Sequence, residues 1–291
     1  MGSTIDAGEQ FERVLRFDRS LLPPGIFLLG GIALVAGFLL GTEWLLTAGV
    51  LSESPATRII FALAAFGPMA VLAYAVLRWE GIQPTAVGFK RRHLIPGLAL
   101  VTAVWLGAHL LTILLQVVTG GALGLGIPPA ITPADWITSI VAQLLVVGVV
   151  EEFAFRGYFQ NKIVALFGGG RDRRRKAAAI VAATVIFAMF HVPQRLIVQG
   201  APLESLPPML LFLFVYGCFF GVMYELTRNL LFTGVLHGTF NFQPILLAGP
   251  QGQPDLDVTL FVIPLAAVAI WGYRRWAKRT HPDDFRTQLL R

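Results

Sequence analysis

Two adjacent carboxylates and a guanidinium, Glu151, Glu152 and Arg156, interrupt an apolar run that is otherwise long enough to cross a bilayer. A charge at the centre of a membrane helix costs about 2.5 to 3.5 kcal/mol on insertion scales, so three together need a chemical reason. Side chains four apart on a helix share a face, while adjacent ones diverge by about 100°. Glu152 is therefore expected over Arg156 as a structural ion pair. Glu151 points elsewhere and is left free for proton chemistry, as a base tuned by burial. Two later apolar runs carry further groups of this kind: His191 in FAMFH, and His237 with Asn241, four apart and on one face, in HGTFN. Peptide hydrolysis inside a membrane needs an activated water, a stabiliser for the tetrahedral oxyanion and an acid for the leaving amine. The set Glu151, His191, His237 and Asn241 supplies each type.

These residues must be held by elements that cross the membrane. Of 291 residues, 55% are hydrophobic and only 14% charged, and the mean hydropathy is +0.69. Soluble domains carry about 25% charged residues, so the composition excludes that class. Apolar runs fall at 24–48, 58–78, 94–118, 136–160, 177–198, 207–226, 230–248 and 258–273. The expected fold is all-α, a polytopic bundle of about eight transmembrane helices. The polar segment before the first run is unlike the start of a cleaved signal, so that run is read as a retained span. The chain then divides into N-terminal helices (1–135), a core that holds the polar motifs (136–248) and a last span with a basic tail (249–291).

The net charge of +6 falls in short clusters between the apolar runs rather than on one interleaved stripe, so nucleic acid is not the expected partner. The lipid bilayer is. Lys and Arg crowd alternate connections, and the other set holds only Arg58 and Arg195. This alternation predicts an integral membrane protein with both termini cytoplasmic, in the plasma membrane if the source is a bacterium. Counted from the cytoplasmic helix ends, Glu151, His191 and His237 are expected to meet in the cytoplasmic half of the bundle. Breakers such as Gly120, Gly124, Pro128, Pro129 and Pro133 mark turns before the fourth run. His109 is expected to be an interhelical hydrogen bonder, His93 and His281 to be solvated, and the lone Cys218 to serve packing.

Taken in order, Glu151, Glu152 and Arg156 as EExxxR, Phe187 and His191 as FxxxH, and His237 and Asn241 as HxxxN resemble the three motifs of the CPBP family, which comprises the type II CAAX prenyl proteases and their bacteriocin-processing and Abi relatives. The flanks EEFAFRGYFQ and LLFTGVLHGTFNF agree with that resemblance, which covers about residues 136–248, with a weak further match at Gly88 and Phe89. It implies an intramembrane endopeptidase in which Glu151 activates water, His191 holds that water, and His237 with Asn241 stabilises the oxyanion. Glu152 and Arg156 would hold their helix in place. The substrate would be a membrane peptide or a lipidated protein entering a cytoplasm-facing cavity. No cofactor is required on this reading. Zinc is the alternative, with Glu151, His191 and His237 as its ligands, although HExxH is absent and ligation would consume the obvious base. Two other classes use the same residues: a transporter with a proton or ion relay, and a non-catalytic immunity or scaffold protein that binds peptide.

The alternation of basic connections yields the first testable expectation. Single cysteines at Ser52, Gly124 and Gln251 should react with an impermeant maleimide from the non-cytoplasmic side. Reaction of all three from the cytoplasmic side only would overturn the eight-span order.

Overall fold

The computed structural model describes residues 14–49, 54–127, 131–170, 172–248, 256–282 and 288–290. Pro128, Pro129, Ser52 and Gln251 lie outside them. Eight helical rods account for most of the described chain: α1 Leu22–Thr47, α2 Pro55–Trp79, α3 Leu94–Thr119, α4 Pro133–Leu166, α5 Arg173–Phe190, α6 Leu206–Thr227, α7 Leu230–Asn241 and α8 Leu256–Thr280. The all-α expectation holds, and the only strands among the described residues are two short pairings, Val14–Arg16 with Gln288–Leu290 and Gly124–Leu125 with Leu247–Ala248. Local chemistry sets the helix starts. Ser54 and Thr57 form a reciprocal cap with Pro55 at the first turn, Thr132 caps α4 ahead of Pro133, Asp172 caps α5, and the Asn229 side chain accepts from Phe232 N at the start of α7. Gly120, left-handed at φ 69°, ends α3.

Among the described residues six helices, α1 to α6 with their flanking turns, are long and apolar enough to cross a membrane. The expected span at 230–248 is different. Its helix α7 has 12 residues, about 18 Å at 1.5 Å each, against a hydrocarbon core of about 30 Å. The chain continues as extended backbone, and Leu247–Ala248 pairs antiparallel with Gly124–Leu125 beyond the end of α3. Irregular backbone at that depth is tolerated where protein groups satisfy it. His109 does so: its Nε2 accepts from Leu246 N at 3.0 Å while Nδ1 lies 2.7 Å from Trp105 O, as the interhelical reading of this residue requires.

The two ends of the bundle differ in kind. At one end Lys162, on the last part of α4, pairs with Glu80 at 2.7 Å and donates to Asp18 O at 2.6 Å, which ties α4 to the end of α2 and the approach to α1. Lys176 reaches Glu225 at 2.6 Å, joining the start of α5 to the end of α6. Asn229 donates to His93 O and to the Tyr273 hydroxyl, joining the starts of α7 and α3 to the end of α8. At the opposite end Arg58 and Asp135 approach to 3.7 Å between the starts of α2 and α4. Apart from Arg58, Arg195 and the interior Arg156, every described Lys and Arg lies at the first end. His93 belongs to that end but is not solvated: it is 2% exposed, with Nδ1 3.0 Å from Gly88 O. Gly88 is left-handed, at φ 101°, and also accepts from Leu230 N; this fold of the connection buries the imidazole against α7. Between the ends, Phe27 of α1 packs against Phe155, Tyr158 and Phe159 of α4.

Lys162 and Glu80 are both fully buried, and the Tyr158 hydroxyl donates to Glu80 at 3.0 Å. Glu80→Ala strands the Lys162 charge and is expected to cost about 3 to 5 kcal/mol. Thermal unfolding in detergent reads this, and a variant that melts with the parent would remove the structural role of the pair.

Candidate active site

Helix α4 is not uniform. It is α-helical over Pro133–Val141, Gly148–Glu152 and Asn161–Leu166, and π-helical over Ala142–Val147 and Phe153–Gln160. π-turns insert an extra residue per turn and concentrate at functional sites. Here they flank the five residues that end in Glu151 and Glu152. Helix α7 lies directly on this segment, because Gly148, Gly234 and Gly238 remove the side chains that would separate the backbones. A Cβ on Gly234 would sit 2.6 Å from Val149 Cα, and one on Gly238 would fall on Gln143 O and Leu144 Cα. The sequence reading did not use these glycines, although the four-residue spacing of Gly234 and Gly238 is the small-residue signal of close helix packing in membranes.

That approach carries His237 between the two carboxylates. Glu152 Oε1 is 3.0 Å from Arg156 Nη1, as the four-residue spacing predicts, and it is also 2.8 Å from His237 Nδ1. The other ring nitrogen, Nε2, lies 3.6 Å from Glu151 Oε2. Glu152 thus has a second partner besides Arg156, and Glu151 has the imidazole as its neighbour. Helical spacing reports only contacts within one helix, whereas this histidine arrives from another. Arg156 is further held by donation from Nη2 to Gly217 O at 3.0 Å and by the Phe187 ring, 4.4 Å from its guanidinium carbon. The His237 ring stacks on Phe220 at 4.7 Å.

The two carboxylates differ in access. The Glu152 side chain is fully buried, while that of Glu151 keeps 14% of its surface on a cavity of about 560 Å³. His191, His237 and Asn241 line the same cavity, so the structure brings all four expected residues to one space. His191 follows the last turn of α5; its Nδ1 is 2.8 Å from Phe187 O, which leaves Nε2 for the cavity. Asn241 is the last residue of α7 and is exposed. The rest of the wall is largely aromatic and aliphatic, with Gln143, Gln194, Arg195 and Gln199 as polar exceptions, and Arg195 donates to Gln199 at 2.7 Å. From Phe155 and Glu151 the cavity runs towards Gln199 and Asn241, away from the basic end. Among the described residues, no three His, Cys, Asp or Glu side chains are grouped so as to hold a metal.

The family model for type II CAAX prenyl endopeptidase Rce1-like proteins matches residues 133–243. No curated protein and no solved structure matches the chain. The matched segment holds all three motifs and the whole contact between α4 and α7, so the core that carries the site is similar to that of an intramembrane protease family. With six apolar membrane-length helices, the chain is an integral membrane protein.

Backbone contact between α4 and α7 has a direct consequence. Gly238→Ala forces the helices apart, at a cost of about 1 to 3 kcal/mol for overpacking, and withdraws His237 from both carboxylates. Peptide turnover should fall more steeply than that stability loss implies, when turnover and melting are measured on the same preparation. Unchanged turnover would mean that the contact does not position the imidazole.

Proposed function

We propose that the protein is an endopeptidase that cleaves a membrane-associated or lipidated peptide by a glutamate-activated water. The observation that supports this best is His237 held between a buried, Arg-paired Glu152 and a cavity-facing Glu151. In this reading Glu152 orients the imidazole through Nδ1, as a carboxylate orients a catalytic histidine elsewhere. Arg156 offsets the charge of Glu152, so the outer carboxylate is the one that works on water. Glu151 removes a proton from a water held beside His191, and the resulting hydroxide attacks the scissile carbonyl carbon. The oxyanion is met by the Asn241 amide and by His237 Nε2, which receives the proton from Glu151, 3.6 Å away, as the charge develops. Collapse breaks the C–N bond, and the proton taken by Glu151 passes to the leaving amine, so acid and amine products balance. Burial of the site in an apolar wall strengthens each of these interactions. No step of this reading is routed through a metal.

Glu151→Gln keeps volume and hydrogen-bonding shape but removes the base. Turnover should fall by about 10²-fold or more while yield and melting stay with the parent. The assay is a quenched peptide in detergent micelles, one form prenylated at a C-terminal Cys and one not, each with and without chelator. Product from the parent and none from the variant supports proteolysis, and the prenyl dependence then separates CAAX processing from general cleavage. Chelator should leave turnover unchanged; a loss restored by zinc would replace the glutamate mechanism. Equal turnover in parent and variant would remove Glu151 from catalysis.

A further inference from the structure

The cavity and the basic side chains sit at opposite ends of the same bundle. Towards the basic end the site is sealed. Every residue of α4 from Glu152 to Lys162 is buried, and below the site the Asn161 amide donates to the Tyr224 hydroxyl at 2.7 Å while that hydroxyl donates to Val87 O at 2.8 Å. Arg228 then contacts Asn161 at 3.3 Å and Glu225 at 2.6 Å. No part of this layer lines the cavity. Towards the other end the cavity reaches Gln194, Arg195 and Gln199, which follow α5. Helix α5 starts at Arg173 in the basic end and has 18 residues, about 27 Å of rise and so close to the thickness of the hydrocarbon core. The residues just past it therefore approach the far surface, and Gln199 is exposed there.

Clusters of Lys and Arg mark the cytoplasmic side of a membrane protein. A basic cytoplasmic end and a cavity that extends from the other end cannot both be combined with entry from the cytoplasm. We propose that the cavity opens to the non-cytoplasmic face. On the proteolytic reading above, its substrates are then apolar peptide segments of chains that have already crossed the membrane, or that are anchored in its outer leaflet. Prenylated termini that remain in the cytoplasm do not reach it. The Phe38, Phe66, Phe212 and Phe240 side chains on the wall suit such an apolar segment, and Arg195 is the cation it would meet.

The test places single cysteines at Gln199, Glu204 and Thr280 in a Cys218→Ser background, in the inner membrane of a bacterial host. Gln199 and Glu204 are exposed at the cavity end, and Thr280 is exposed at the end of α8. An impermeant maleimide should label Gln199→Cys and Glu204→Cys in spheroplasts, and Thr280→Cys only in inside-out vesicles. Labelling of the first two only in inside-out vesicles, or equally from both sides, overturns the proposal. A bulky maleimide applied to Gln199→Cys in spheroplasts should also abolish the cleavage measured after solubilisation, and full turnover after complete labelling would overturn entry through this mouth. Sidedness is decided by labelling alone. An unlabelled detergent-solubilised parent that cleaves no peptide would therefore sink the proteolytic reading without touching the orientation.

Discussion

A buried charge in a low-dielectric interior must find a partner or be lost, and the site is built around that demand. Arg156 and Glu152 are nearly inaccessible to solvent, and neither is tolerable alone. Their pairing recruits the Gly217 carbonyl from α6, the Phe187 ring from α5 and the His237 imidazole from α7. One ion pair thus fixes the relative positions of four helices, and it leaves Glu151 with a different environment from its neighbour one residue away. Two chemically identical side chains acquire separate roles through burial and partners.

The same demand explains why the bundle is asymmetric. At the basic end, polar groups are cemented in pairs and chains: Glu80 with Lys162 and Tyr158, Asn161 with Tyr224, Glu225 with Lys176 and Arg228, and Asn229 with Tyr273. Each contact joins different helices or a helix and its connection, and together they close the interior to water from that direction. At the other end α7 stops after three turns, the chain runs on as extended backbone, and aromatic side chains surround open space. The closed half gives the site a rigid floor, and the open half gives a peptide somewhere to lie.

Sequence alone went far here because the membrane makes polar residues rare and therefore informative. The all-α class followed from apolar runs of bilayer length, and the Glu152–Arg156 pair from four-residue spacing. The assembly of Glu151, His191, His237 and Asn241 followed from three motifs in order on separate runs. The six apolar spans were legible for the same reason. Periodicity, however, sees one helix at a time. It missed that His237 sits between the carboxylates and that His93 is buried. It also took the run at 230–248 for a full span, because hydropathy does not distinguish helix from extended backbone when both are apolar.

What the sequence determined by itself was therefore the inventory: which side chains carry the chemistry, on which runs they stand, and which end of each run is basic. Those properties are local, set by composition and by the fixed rise and turn of a helix. Only the tertiary structure decided where the cavity lies and which carboxylate faces it. Both depend on how closely α4 and α7 approach, and that distance is set by three glycines meeting across two helices, a contact that no single stretch of sequence contains.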